Sequence, residues 1–170
     1  MKVTMHPAVS LDGFISRSDG DSSSWVNEAD EERYEKAVRQ AGCVITGRTT
    51  FDQFREDFDA YEGVTIFVCS NENRQDTDNI KYVRGRAEEI INNIEENYTF
   101  DELIVCGGGE VNGMLAAAML VDELVVSVQP VALGEGTPLF GGHKPALNLK
   151  LVSTNEDIKG VTQNFYRVLK

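Results

Sequence analysis

The chain has 170 residues, 41% of them hydrophobic and 26% charged, an ordinary globular composition at a length that suits one domain around one core. Its 28 acidic and 16 basic residues leave a net charge of −12, which opposes binding to nucleic acid or to an anionic membrane. A phosphate-bearing small molecule is still admissible, because backbone N–H groups can hold an anion locally whatever the global charge.

No apolar run approaches the ~18 residues needed to cross a bilayer. The N-terminus shows neither a long apolar stretch nor a cleavage-site pattern, so a cytoplasmic setting is expected. Cys43, Cys69 and Cys106 are sparse and sit in or beside apolar runs, which reads as free thiols. His6 and His143 are too few to build a metal site, so no metal is expected.

In chain order, Val3 to Val9 reads as a first strand, followed by a polar loop from Ser16 to Ser24. Asn27 to Gln40 has helical composition, with Tyr34, Ala37 and Val38 as its apolar stripe. Cys43 to Thr46 reads as a strand, and Thr49 to Phe58 as a helix with Phe51, Phe54 and Phe58 on one face. Val64 to Cys69 and Ile80 to Val83 read as strands, Ala87 to Asn97 as a helix, and Leu103 to Cys106 as a strand. Val111 to Leu120 is an alanine-rich helix. Glu123 to Val131, Leu147 to Ser153 and Val161 to Leu169 then read as strands joined by turns. The pattern predicts an α/β fold in one domain over residues 1–170, a mixed, mostly parallel sheet with antiparallel strands at its C-terminal end.

Two places share one design. The strand CVIT runs into Gly47-Arg48-Thr49-Thr50 and a helix, and LIVC runs into Gly107-Gly108-Gly109 and a helix. The first N–H groups of a helix lack intrahelical partners and carry partial positive charge, and glycine lets an anion approach them. Each glycine could serve only as a turn. Together they favour a phosphate-rich cofactor across the carboxyl ends of the strands, although neither is a G-x-G-x-x-G or P-loop pattern. Ser10-Leu11-Asp12-Gly13 after the first strand reads either as part of this site or as a polar turn with Asp12 capping local N–H groups.

SLDGF, GRTTF, GGGE, LVDEL and QPVALGEGTPLF, in this order and spanning nearly the whole chain, resemble the reductase domain of riboflavin biosynthesis in the dihydrofolate reductase-like superfamily. The resemblance implies a dihydrofolate reductase-like three-layer α/β/α fold, NADPH as cofactor (with NADH as the alternative), a small-molecule substrate and a homodimer. It places the cofactor against Ala8, Ser10, Leu11, Asp12, Gly13, Gly47, Arg48, Thr49, Thr50, Ser70, Gly107, Gly108, Gly109, Glu110 and Val111. Hydride transfer to a pyrimidine, pterin or related heterocycle is the implied reaction.

Two departures stand out. Glu110 occupies the place where folate enzymes commonly carry a basic residue near the adenosine phosphate, which leaves Arg48, with Arg74 in reserve, to read it. The H-x-E and P-C-x-x-C signature of zinc deaminases is absent from these residues. Trp25 with Asp30 five residues later resembles the W-x-x-x-x-D arrangement of folate enzymes, and makes Asp30 the candidate catalytic and ring-holding carboxylate. The competing reading is that Asp30 is one more acid favoured at a helix start. The substrate pocket is expected beside Trp25, Asp30, Pro130 and Gly134. Two other functions fit the same motifs: a non-catalytic nucleotide-binding module, and a true folate reductase if Asp30 faces the pocket.

Overall fold

Alternation with period two places each strand's neighbouring side chains on opposite faces, and both faces of the central strands are apolar. The computed structural model describes residues 1–158 and 160–170. Its elements are β1 (Lys2–Met5), β2 (Ala8–Ser10), β3 (Phe14–Ser16), α1 (Glu28–Ala41), β4 (Cys43–Gly47), α2 (Arg48–Gln53), α3 (Arg55–Asp59) and β5 (Thr65–Cys69). They continue with β6 (Ile80–Val83), α4 (Ala87–Asn97), β7 (Glu102–Gly107), α5 (Gly109–Ala117), β8 (Glu123–Gln129), β9 (Thr137–Pro138), β10 (Asn148–Ile158) and β11 (Val161–Leu169).

The main sheet runs β10-β11-β8-β1-β7-β4-β5-β6, with β2 also on β8. Pairings from β8 to β6 are parallel, and β11 and β10 close the sheet antiparallel. Cys43, Ile45, Phe67, Leu103 and Val105 pack with α4 and α5 on one face. Val44, Ile66, Val68 and Ile104 pack with Val38, Phe51 and Phe58 of α1 to α3 on the other. The result is the expected three-layer α/β/α arrangement with a mixed sheet.

Local chemistry sets the helix ends. Asn27 caps α1 by accepting from the Ala29 N–H at 3.0 Å, and Gly42 ends it in the left-handed region at φ 73°. Glu28, Asp30 and Glu31 sit in its first turn and Arg39 in its last, matching the helix dipole.

Five expectations about elements are corrected. The strand expected over Val3 to Val9 breaks at His6-Pro7, where proline supplies no N–H, and resumes as β2 on β8 alone. The helix expected over Thr49 to Phe58 divides at Phe54, whose φ of −109° and ψ of 33° leave helical geometry. α5 starts at Gly109 and ends at Ala117, before Met119 turns into the left-handed region at φ 58°. The strand expected over Leu147 to Ser153 runs on to Ile158 opposite β11. β3 and β9 pair into a small second sheet that no periodic pattern announced. No helix among the described residues is long and apolar enough to cross a membrane.

Candidate active site

The parallel strands end together on one side of the sheet, and a cleft of ≈ 1240 Å³ opens there. That exceeds the roughly 300–1,000 Å³ usual for one small ligand, and leaves room for a dinucleotide beside a second molecule.

At one end of the cleft stand the first turns of α2 and α5. Gly47 precedes α2 and Gly108 precedes α5, and no side chain caps either helix. The two starts nearly touch. A Cβ on Gly47 would lie 3.8 Å from the Gly107 carbonyl oxygen and 3.9 Å from the Gly108 nitrogen, and one on Gly108 would lie 3.1 Å from the Thr50 Oγ1. Thr46 Oγ1 donates to the Gly107 carbonyl at 3.0 Å and fixes the turn, where Gly107 itself takes φ 100°. The peptide between Gly107 and Gly108 is cis. A side chain at either helix start would fill the gap, and the donors there are backbone N–H groups with no intrahelical partner. These features fit a phosphate-bearing dinucleotide.

Arg48, Thr49, Thr50 and Ser70 line this end, with Glu110 and Val111 from α5. Arg48 is already engaged, at 3.0 Å from Asp52 and 3.1 Å from Glu72. Arg74 holds the same two carboxylates and does not line the cleft. Arg84, which follows the β6 residue whose carbonyl accepts from Ser70 N at 3.0 Å, lines the cleft and has no ion pair among the described residues. Glu110 turns toward the following loop, accepting from Gly142 N at 3.0 Å and meeting His143 at 3.4 Å.

At the other end, Asp30 forms part of the floor and is 5% exposed. Its Oδ1 accepts from Ser127 Oγ at 2.7 Å and from Gln163 Nε2 at 3.4 Å, and its Oδ2 accepts from Gln129 Nε2 at 2.7 Å. Burial raises its pKa, against the opposing pull of the Ser127 and Gln129 hydrogen bonds and of Arg33. Ser127 and Gln129 lie two apart on β8, and Gln163 sits opposite Ser127 on β11, so all three share one face of the sheet. Tyr34, one turn after Asp30, faces Cys106, and its phenol is pushed well above its usual value, chiefly by burial. His6 also lines the cleft, and burial holds its pKa down to about 4.

Several expected positions lie elsewhere. Of the segment from Ala8 to Gly13, Ala8 alone lines the cleft; Ser10, Leu11, Asp12 and Gly13 do not. Ser10 Oγ donates to Asp12 Oδ1 at 2.6 Å, and Asp12 accepts from Leu133 N at 3.0 Å and Gly134 N at 2.7 Å. These bonds, the Ser10 hydroxyl first, hold the Asp12 pKa down to about 2. The segment is a clasp for the loop after β8, and Leu11 points outward at 76% exposure. Trp25 is half-buried, donating from Nε1 to the Asp21 carbonyl at 3.4 Å, and does not wall the cleft; neither do Pro130 and Gly134. Gly107 shapes the turn without lining the cleft, while Gly108 and Gly109 line it. Ser127, Gln129, Gln163 and Arg84 were not anticipated. The available signal was two polar residues, Ser127 and Gln129, alternating on one face after the apolar run LVV of the strand ELVVSVQ. Among the described residues no cluster of His, Cys, Asp or Glu could hold a metal ion.

The sequence profile of the RibD C-terminal domain matches residues 1–163. The uncharacterised protein YyaP of Bacillus subtilis (strain 168) is 29% identical over 179 residues, covering 97% of this chain and 94% of that protein. A crystal structure from Shewanella sp. PV-4, of a protein named for riboflavin biosynthesis, superposes with a TM-score of 0.84 at 26% identity over 100% of both chains. The deaminase/5-amino-6-(5-phosphoribosylamino)uracil reductase of Thermotoga maritima matches with a TM-score of 0.80 at 17% identity, over 99% of this chain and 56% of that one. Dihydrofolate reductase from Enterococcus faecalis, solved with NADP(H), has the same fold: TM-score 0.75, 15% identity, 99% of this chain and 97% of that one.

Proposed function

The chain belongs to the RibD C-terminal domain family, and from that premise we propose that it is an NAD(P)H-dependent oxidoreductase that reduces a C=N or C=O bond of a small heterocycle. The observation that carries this reading is the juxtaposition in one cleft of two uncapped helix starts, at Gly47 and Gly108, with a buried carboxylate network at Asp30. The phosphates lie between the first turns of α2 and α5, the adenosine end beside Ser70 and Arg84, and the nicotinamide toward Ala8 and the Asp30 floor. When bound, the reduced nicotinamide supplies the hydride. The protein's own part is to hold both partners at reacting distance and keep water out.

Asp30 orients the floor of the substrate end. A homodimer belongs to the same reading, supported by the edge strand β10, where Leu149, Leu151 and Val152 are exposed. A reducing, cytoplasmic setting accords with three cysteines free of disulfides.

The test is a thermal melt with NADPH and with NADH, followed by NADPH oxidation with pyrimidines and pterins. A ligand of the folded state adds RT ln(1 + [L]/Kd), about 2.7 kcal/mol at a hundredfold excess over Kd. No shift with either nucleotide at millimolar concentration defeats the reading. Binding without turnover of any heterocycle favours the non-catalytic module instead.

A further inference from the structure

Asn112 stands at the end of the first turn of α5, where its backbone N–H donates to the Gly108 carbonyl at 3.0 Å. It is 3% exposed and lines the cleft. Its Nδ2 donates to the Leu139 carbonyl at 3.0 Å. Its Oδ1 is buried and accepts from nothing among the described residues. Turning the amide round does not cure this, since Oδ1 would then face the Leu139 carbonyl, acceptor against acceptor. Buried polar groups are nearly always paired, and one left without a partner costs stability. Helix formation gives no reason for the residue either. After Glu110 the other residues of α5 are glycine, alanine or apolar, and asparagine is a poorer helix former than alanine or leucine. An acceptor kept at this cost in the wall of a cleft is placed for a donor that arrives with a ligand.

Its place narrows the donor. The amide lies against Gly107, where a Cβ would be 3.4 Å from both Oδ1 and Nδ2, so it adjoins the turn that presents the uncapped start of α5. A phosphate oxygen held by those N–H groups cannot satisfy Oδ1, because it too only accepts. The donors of a nicotinamide dinucleotide are its ribose hydroxyls, the adenine amino group and the carboxamide NH2. The adenine end is remote: Ser70 follows β5, which lies two strands from β7 in the sheet, or about 10 Å. On its other side Asn112 is tied to the nicotinamide end. Leu139, whose carbonyl it holds, donates from N to the Gly13 carbonyl at 3.3 Å, in the turn between β2 and β3.

Resting on the reading of this cleft as a dinucleotide site, we propose that Asn112 is a cofactor-binding residue whose Oδ1 accepts a hydrogen bond from the nicotinamide riboside half, through its carboxamide N–H or a ribose O–H. One side-chain amide then joins two parts of the site. Its Nδ2 holds the loop after β9, and its Oδ1 holds the nucleotide.

The experiment is isothermal titration of the full chain, and of Asn112→Leu and Asn112→Ala, with NADPH and with 2′,5′-ADP, which carries the adenosine and its phosphates but no nicotinamide riboside. Both variants lose NADPH affinity by about tenfold, equivalent to about 1.4 kcal/mol, and bind 2′,5′-ADP within about twofold of the wild type. A residue that only holds the loop weakens both ligands alike or neither. The reduced 3-acetylpyridine analogue of NADPH, whose acetyl group has no N–H, then identifies the donor. The loss in the variants disappears with it if the carboxamide donates and persists if a ribose hydroxyl does, and either result supports the proposal. A measurement on the wild type needs no variant to fold: the side-chain carbonyl carbon of Asn112 shifts in its NMR spectrum with NADPH and much less with 2′,5′-ADP. An equal loss for both ligands, no loss for either, or a carbonyl carbon that responds alike to both overturns the proposal and leaves the dinucleotide reading standing. A wild-type chain that binds neither NADPH nor NADH removes that reading, and this proposal with it.

Discussion

Ser127 Oγ donates to Asp30 Oδ1 across 2.7 Å, joining a strand and a helix 97 positions apart in the chain. Gln129 Nε2 grips the other oxygen, while its Oε1 accepts from Asn27 N at 3.0 Å and so cannot turn round without losing that bond. Asp30→Asn therefore sets an NH2 against a donor, and should cost about 1–3 kcal/mol. The pH dependence has a definite sign. The Asp30 pKa is raised in the fold, so its contribution to stability is fully present below the ordinary aspartate value and is lost as pH rises through the raised one. The stability gap between wild type and Asp30→Asn should widen on acidification in urea melts. A gap that narrows contradicts this account of the floor.

His6 works in the opposite sense. Its pKa falls from the usual 6.5 to about 4, because burial penalises the imidazolium. Between those values the unfolded chain binds a proton that the fold refuses, so stability falls as pH drops from 6.5 toward 4. The wild type should lose roughly 2–3 kcal/mol more than His6→Gln between neutral pH and the lower end of that window. Parallel pH profiles of the two proteins would show that the ring is already solvated in the fold.

Two glycines, one just before α5 and one within it, should separate binding from folding. Gly108 has φ −68°, and a Cβ there meets only Thr50 Oγ1 at 3.1 Å. Gly113 has no such room: a Cβ would lie 2.2 Å from the Phe140 carbonyl oxygen and 2.6 Å from His143. Gly113→Ala should destabilise by about 1–3 kcal/mol through overpacking. Gly108→Val should keep most of its melting temperature and lose nucleotide binding, because the side chain fills the gap between the two helix starts. A folded Gly108→Val that binds NADPH normally would mean that the phosphates lie elsewhere.

Local features of the site were legible in the sequence because their causes are local. A strand followed by Gly47 or Gly107-Gly108-Gly109 and then a helix exposes the same N–H groups whatever surrounds it. Whether a loop residue faces the cleft depends on distant partners. Asp12 looks like a site residue or a turn until Gly134, 122 positions away, is seen to donate to it. Asp30 shares a first turn with Glu28 and Glu31, and only the packing of α1 over β8 and β11 sets it apart by bringing Ser127 and Gln163 within reach. β3 and β9, at three and two residues, are too short to show a period.

Cofactor choice turns on which cation is free. Arg48 was the expected reader of an adenosine phosphate, yet Asp52 and Glu72 already hold it, and any phosphate must compete with them. Arg84 lines the same end beside Ser70 without an ion pair among the described residues, so its charge is available. Glu110, placed where it would repel, instead anchors Gly142 and sits beside His143. NADPH should therefore bind about tenfold more tightly than NADH, a difference of about 1.4 kcal/mol. Arg84→Ala should remove most of that preference by weakening NADPH and leaving NADH nearly unchanged. Arg48→Ala should have the smaller effect on the preference, because it also releases Asp52 and Glu72 from one partner and adds negative charge to the neighbourhood of both nucleotides. Glu110→Gln should change neither affinity by more than about twofold, since its carboxylate is turned to the loop. Isothermal titration of the three variants with both nucleotides decides the matter: if Arg48→Ala selectively weakens NADPH and Arg84→Ala does not, the adenosine phosphate sits over α2 and the assignment to Arg84 is wrong.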